Sequence, residues 1–291
     1  MVPMNLLTTE QFKQHFTVEG ETLILSPQIA MIASFLGHQF DFSFDPSDVK
    51  NKTYDTVLID ISDNQKFPGS SAKHEYRWLK HAFDYLGNGK TLICKVPVKV
   101  CSQVHDLKDL TIDEVEMFED DAILKLRKGK ADNTTVVLYN QQKIMIDVSK
   151  TPILHTNDPK YYSYFESVSD EDALQYISLS AGLKENNREQ YQKRVDWDTD
   201  RVVCISTGFE NSTIKNGLKM YSFDEIADRK MAVDCYYVPK DINFESFVNT
   251  LQSKKFLSFL SVVCYNNYQS FKKPFKKKVF NKKIIEFCNE E

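Results

Sequence analysis

The chain reads as an α/β protein built on a parallel or mixed sheet, and three observations carry that reading. The strand-like segments of its first half are continuous apolar runs rather than alternating ones, as strands buried on both faces require. Segments with helical apolar spacing stand between them, closed by glycine. After residue 150 the pattern changes to short strands and amphipathic helices, which predicts a second, α+β domain.

Taken in order, Glu21 to Ser26 is a short apolar strand. Pro27 and the amphipathic stretch Gln28 to Leu36 follow as a helix, stopped by Gly37. Asp41 to Asp45 alternates with period two, as a strand does. Thr56-Val57-Leu58-Ile59-Asp60 is an apolar strand ending in a carboxylate. A loop with Pro68-Gly69-Ser70-Ser71 leads to a helix from Lys73 to Leu86, and Thr91 to Pro97 is the next buried strand. Val115 to Phe118 and Thr134 to Tyr139 are two more, and the acidic stretch Glu116 to Asp121 reads as a solvated turn. Beyond the boundary near 150, strands are expected at Arg201 to Ser206 and Ala232 to Val238. One long helix follows, from Phe244 through Val263, capped by Asp241 or Asn243. The expected domains are therefore 1–150 and 151–291.

Composition narrows the class. With 291 residues, 42% hydrophobic and 27% charged, the chain is globular. No apolar run reaches the roughly 18 residues that span a bilayer, and the opening residues Met1 to Leu7 lack the pattern of a signal peptide. A cytoplasmic protein without a membrane partner is expected. The six cysteines, at 94, 101, 204, 235, 264 and 288, show no metal-ligand or disulfide spacing, so buried thiols and no metal are expected. The net charge of −4 hides an asymmetry. Between Glu245 and Glu286 there is no acid, while Lys254, Lys255, Lys272, Lys273, Lys276, Lys277, Lys278, Lys282 and Lys283 leave −13 for the rest.

That basic segment interleaves lysine with Phe271, Phe275 and Phe280, and Tyr265 and Tyr268 precede it. Lysines bind phosphates through charge, and aromatic rings stack on exposed bases. These lysines and the two tyrosines are the candidate nucleic-acid contacts, with DNA the first partner. The other reading is a solvated lysine face whose phenylalanines pack inward.

The run Tyr54 to Asp60, then a loop and helix, then Leu86-Gly87-Asn88-Gly89-Lys90-Thr91 to Pro97, resembles the middle of class I methyltransferases, in particular restriction-type DNA adenine methyltransferases. Leu23 to Gly37 resembles that family's second strand and helix, and Asp45 stands where an acid ends the third strand, making it the candidate cofactor contact. Ser206-Thr207-Gly208 and the helix Phe247 to Leu260 resemble the target-recognition region of the same enzymes. The resemblance implies a Rossmann-like methyltransferase domain followed by a target-recognition domain. It also implies catalytic roles for Asp60 and Asp63, which stand at the family's catalytic tetrapeptide, while a role for Lys95 is implied by a likeness to ribose-methylating enzymes.

The departures from the family are equally specific. The glycine-rich cofactor loop has no counterpart, since Gly20 is the only glycine before Gly37, and the family's catalytic tetrapeptide is replaced by Asp60-Ile61-Ser62-Asp63. The expectation is a degenerate DNA adenine methyltransferase-like protein, a pseudoenzyme that binds nucleic acid or a partner such as an active methyltransferase subunit, with no cofactor. One alternative is a divergent but active S-adenosylmethionine-dependent DNA or RNA methyltransferase centred on Asp60. Ribose-methylating RNA enzymes share the sheet and place an Asp and a Lys where Asp60 and Lys95 stand, together with a further Lys and a Glu for which the sequence offers no candidates. A third alternative is a protein-interaction module acting on a restriction or methylation system.

Overall fold

The computed structural model describes residues 7–43, 52–61, 75–107, 109–129, 132–182, 184–206, 217–264 and 273–289. The chain divides into two compact units, Met1–Ser149 and Lys150–Glu291.

The first unit opens with α1 (Thr9–His15). Thr8 starts it: its hydroxyl accepts from the Gln11 amide while the Gln11 side chain accepts from the Thr8 amide, the reciprocal arrangement of a capping box. There follow β1 (Thr22–Ile24), α2 (Pro27–Phe35), β2 (Asp41–Phe42), β3 (Tyr54–Asp60), α3 (Glu75–Asp84) and β4 (Leu86–Pro97). The strands β5 (Leu110–Met117), β6 (Asp121–Lys128), β7 (Thr134–Tyr139) and β8 (Gln142–Asp147) complete the unit. They form one eight-stranded sheet in the order β2-β1-β3-β4-β6-β5-β7-β8. The strands from β2 to β4 run parallel, whereas β6 is antiparallel to both β4 and β5.

This topology moves one assignment. Residues 22–24 pair with both β2 and β3, so β1 is the strand from which the order departs in both directions. In a doubly wound sheet that is the place of the first strand, not the second. The connection from Ile24 through Leu25 and Ser26 to Pro27 therefore occupies the position of the missing glycine loop.

The strands β6 and β8 were not legible as strands in the sequence. The acids Glu119 and Asp120 form the turn of a tight hairpin, closed by the Phe118 amide donating to the Asp121 carbonyl at 2.8 Å. Asp121 already belongs to β6, and Glu116 to β5. The acidic stretch is thus a solvated turn only at its centre.

Ile24, Leu58, Ile93 and Ile123 share one core with Phe12 and Phe16 of the α1 segment and Ile29 and Ile32 of α2. Side chains two apart on a strand share a face. Asp60, Lys95 and Asp121 therefore lie on that same covered face, at the carboxyl end of the parallel strands.

The second unit comprises α4 (Pro159–Ser167), β9 (Tyr176–Leu179), α5 (Asn187–Gln192), β10 (Val202–Ser206), β11 (Met220–Ser222), α6 (Phe223–Ile226) and β12 (Val233–Tyr237). It continues with α7 (Phe244–Gln252), α8 (Lys254–Cys264), α9 (Lys273–Val279) and α10 (Ile284–Asn289). Its sheet is antiparallel, in the order β11-β10-β12-β9. The expected long helix is two helices. Ser253 turns to extended backbone, with φ −67° and ψ 150°, and its hydroxyl accepts from the Phe256 amide to start α8. The six cysteines are buried thiols. No helix among the described residues is long and apolar enough to cross a membrane.

Candidate functional site

The strand order reverses between β1 and β3, and ligands of such sheets sit in the crevice at the carboxyl ends of the strands flanking that point. Three backbone segments meet there. Leu25 continues β1, its amide donating to the Leu58 carbonyl at 2.9 Å, and Ser43 follows β2, its amide donating to the Ile24 carbonyl at 3.2 Å. The Ile61 amide donates to the Lys95 carbonyl at 2.8 Å, which locks the end of β3 against β4.

Register brings the charged residues together. Asp60 pairs with Lys95, Lys95 with Ile123, and Ile123 with Glu116, so the four residues form a row across β3, β4, β6 and β5. Lys95 Nζ lies 3.8 Å from Asp60 Oδ2 and 3.2 Å from Asp121 Oδ2. The Lys95 side chain is 6% exposed, that of Asp60 1% and that of Asp121 15%. A buried ammonium is stable only with such partners. At the far end of the row His15 Nδ1 sits 3.0 Å from Glu116 Oε2, with the histidine side chain 7% exposed. Its ring packs edge-on against Phe118.

Of the residues singled out from the sequence, Asp60 and Lys95 are thus in contact. Asp45 and Asp63 lie outside the described residues. Asp121, His15 and Glu116 were missed. The signal for Asp121 was present, two residues before a buried isoleucine that pairs with Lys95, but it was hidden in a run of acids read as one turn. His15 gave no signal, because only the packing of α1 on the sheet carries it to Glu116.

Ser26 N-caps α2 without a side-chain cap hydrogen bond. Its Oγ is buried and has no hydrogen-bond partner among the described residues, although buried hydroxyls are normally satisfied. At the end of β2, Phe42 is 49% exposed, a flat apolar surface beside the same crevice. An unmatched hydroxyl and an open ring fit a ligand with a polar part and an aromatic part.

The candidate nucleic-acid residues are arranged differently from a free patch. Lys276 pairs with the buried Asp234 at 2.7 Å, Lys282 with Asp241 at 3.0 Å, and Lys283 with Asp172 at 3.0 Å. Lys278 Nζ donates to the Lys150 carbonyl. Lys277 is exposed on α9, which Lys273 opens, and Lys254 and Lys255 are exposed at the start of α8. Tyr265, Tyr268 and Lys272 lie outside the described residues. Phe280 is fully buried against Tyr236 and Phe256, so at this position the inward-packing reading holds.

No known family profile and no curated protein matches the chain. Solved structures do. A Listeria monocytogenes protein described as a class I S-adenosylmethionine-dependent methyltransferase is 14% identical, over 46% of this chain and 54% of its own, with a TM-score of 0.30. The Thermus thermophilus 16S rRNA N2 G1207 methyltransferase, in complex with S-adenosylmethionine and guanosine, is 13% identical over 56% and 52%, with a TM-score of 0.30. The plantazolicin methyltransferase, in complex with S-adenosylhomocysteine, is 9% identical over 42% and 81%, with a TM-score of 0.25.

The parallel order β2-β1-β3-β4 makes the fold Rossmann-like, and the solved structures similar to it are methyltransferases. The chain spans about half the length of the first two. The expectation that no cofactor is used stands against these neighbours, which are described as S-adenosylmethionine-dependent or hold that molecule or its demethylated product.

Proposed function

We propose that the first unit is an S-adenosylmethionine-dependent methyltransferase that activates a hydroxyl, with RNA ribose as the substrate class. The observation that carries this reading is the buried Lys95 ammonium held between Asp60 and Asp121 at the carboxyl end of β4. The resemblance to ribose-methylating enzymes placed an Asp and a Lys here and left two partners unassigned. Asp121 supplies the acid. The nearest basic group that α1 brings to this face is His15, held by Glu116.

A hydroxyl entering beside Lys95 Nζ has its developing oxyanion stabilised by the ammonium, which makes it easier to deprotonate. Asp60 is placed to receive the hydroxyl proton. Asp121 fixes the lysine amine and offsets its charge, and the walls formed by Ile93 and Ile123 keep water from weakening these interactions. The Ser26 hydroxyl and the Phe42 ring would hold the cofactor, which when bound supplies an electrophilic methyl group. The reading as a protein without methyl transfer rested on the lost glycine loop, the missing ribose acid and the replaced tetrapeptide, but the Leu25-Ser26-Pro27 connection still presents a buried hydroxyl with no partner among the described residues. The DNA adenine reading asks Asp60 to accept a hydrogen bond from a base amino group. The Asp60 carboxylate lies 3.8 Å from the Lys95 amine, and an ammonium there favours a developing oxyanion over a neutral amino group, which supports the hydroxyl.

The test is transfer of a tritiated methyl group from S-adenosylmethionine to an RNA oligonucleotide pool and to the same pool as DNA, with the labelled nucleoside identified by mass. Label on ribose, lowered by about 10²-fold or more in Lys95→Met, is expected. Label on adenine of the DNA pool would overturn the proposal and restore the adenine reading.

A further inference from the structure

Two of the buried thiols face each other. Cys204 lies on β10 and Cys235 on β12, the inner strands of the second unit's sheet, and the register sets them directly opposite one another. The backbone shows which kind of pair they form. The Val238 amide donates to the Arg201 carbonyl at 2.9 Å, so Arg201 and Val238 are a hydrogen-bonded pair of the antiparallel ladder. Such pairs alternate with open ones along the strands. Counting on through Val202 with Tyr237 and Val203 with Tyr236 makes Cys204 with Cys235 an open pair. The flanking ladders agree. The Ser206 amide donates to the Lys219 carbonyl on the β11 side and the Tyr237 amide to the Gln175 carbonyl on the β9 side. The Cys204 and Cys235 amides, two residues earlier on each strand, therefore point away from each other.

In an open pair the Cα atoms stand about 4.5 Å apart and the side chains approach most closely. That lies within the span of about 4.4–6.8 Å which a disulfide bridges without moving the backbone. The two sulfurs are 3.2 Å apart, and one thiol donates to the other. Both residues are fully buried, in a core with Leu179, Tyr191, Val202, Phe223 and Ile226. The hydrogen bond from Cys235 and burial push the Cys204 thiol well above its ordinary range, so the reduced pair resists brief contact with oxidants. Once one sulfur is oxidised, however, the other already stands at contact distance.

We propose that Cys204 and Cys235 are a covalent modification site, oxidised by a hydroperoxide to a cross-strand disulfide that ties β10 to β12. In the first step one sulfur attacks a peroxide oxygen and the O–O bond breaks. That sulfur becomes a sulfenic acid, and the departing oxygen takes the thiol proton and leaves as water or an alcohol. The second sulfur then displaces the sulfenic hydroxyl, which leaves as water with the second thiol's proton. Two thiols are oxidised and one peroxide is reduced. Burial slows the first step and afterwards shields the bond from attack by other thiols, so the site responds to sustained rather than brief oxidation. The bond closes the chain from Ile205 to Asp234, which holds β11 and α6, and so restricts the unfolded state. The proposal does not depend on the methyl-transfer reading, because both cysteines belong to the second unit.

The test treats the folded full chain with excess hydrogen peroxide, alkylates the remaining thiols under denaturing conditions, and reads a non-reducing digest by mass spectrometry. A linked peptide pair carrying Cys204 and Cys235 is expected, lighter by two hydrogen atoms than its separate parts and split by dithiothreitol. The oxidised protein should melt at least about 5 °C above the reduced one. Cys204→Ala and Cys235→Ala should each abolish the linked pair and the rise in melting temperature, whereas Cys94→Ala/Cys101→Ala should keep both. The mapping of the unmutated chain decides the matter even if an alanine variant fails to fold. Met31, 68% exposed, reports that the oxidant acted. Recovery of both cysteines alkylated once Met31 is a sulfoxide would overturn the proposal. So would sulfinic acid at either position, a link from either to another cysteine, or a linked pair that leaves the melting temperature unchanged.

Discussion

Replacing Lys95 by methionine keeps the length and most of the volume of the side chain and removes only the charge. It leaves Asp60, 1% exposed, and Asp121, 15% exposed, facing each other across the gap without the cation that lies 3.8 and 3.2 Å from them. Breaking a buried ion cluster from one side costs about 3–5 kcal/mol, because the partner charges stay behind without water. Asp121→Asn should be milder, about 1 kcal/mol, since its side chain keeps some solvent and Lys95 retains Asp60. The double variant should cost less than the two singles together, because neutralising Asp121 removes part of the repulsion that Lys95→Met creates. The assay is urea denaturation followed by tryptophan fluorescence in a Trp197→Phe background. That leaves Trp78 of α3, buried at 6%, as the sole tryptophan and a reporter of the first unit. A lower midpoint with unchanged slope is expected. If Lys95→Met falls within about 0.5 kcal/mol of its parent, as an ordinary surface change does, then the cluster is not the tight buried arrangement on which the hydroxyl chemistry rests.

Three further predictions concern the scaffold. Phe280→Ala should destabilise the second unit by about 3–5 kcal/mol, since this ring is fully buried between Tyr236 and Phe256; thermal melting checks it, and a loss of nucleic-acid affinity without a loss of stability would mean that the ring is a stacking surface instead. Burial pushes the Tyr191 hydroxyl up to about 12, against about 10 in an unfolded chain. The folded state therefore holds that proton more tightly, so the contribution is complete below pH 10 and is lost as pH rises from 10 to 12. Tyr191→Phe should flatten the fall of melting temperature across that window. Gly20→Ala should weaken the β1–β3 edge by about 1–2 kcal/mol, because Gly20 has φ +63° and an added Cβ would lie 2.3 Å from the Asp55 carboxylate, which itself accepts from the Glu21 amide and pairs with Lys90. Hydrogen exchange at the Asp55 and Thr56 amides, both bonded to the Glu21 carbonyl, reads the change.

The sequence by itself determined the elements whose identity is local. A continuous apolar run such as Thr56 to Asp60 has no place but a sheet interior, and Leu92 to Val96 is the same case. Gly37 ends α2 because the left-handed backbone there, at φ +78°, suits a residue without Cβ. Asp60 was legible as the carboxylate that ends a buried apolar strand, whereas Lys95 was singled out only through the resemblance to ribose-methylating enzymes. What depended on partners was not legible. That β1 is the central strand of the parallel half follows only from its pairing with both β2 and β3. Asp121 looked like part of a solvated turn until the antiparallel register of β6 set Ile123 beside Lys95 and so placed the carboxylate 3.2 Å from the amine. His15 reaches Glu116 across a hundred residues. That Lys276 lies 2.7 Å from Asp234 was likewise decided only by the fold. In each case the deciding energy is a pairing between segments far apart in the chain. A charge carries no mark of its partner in its own neighbourhood, whereas a buried apolar run carries the mark of its burial in every residue.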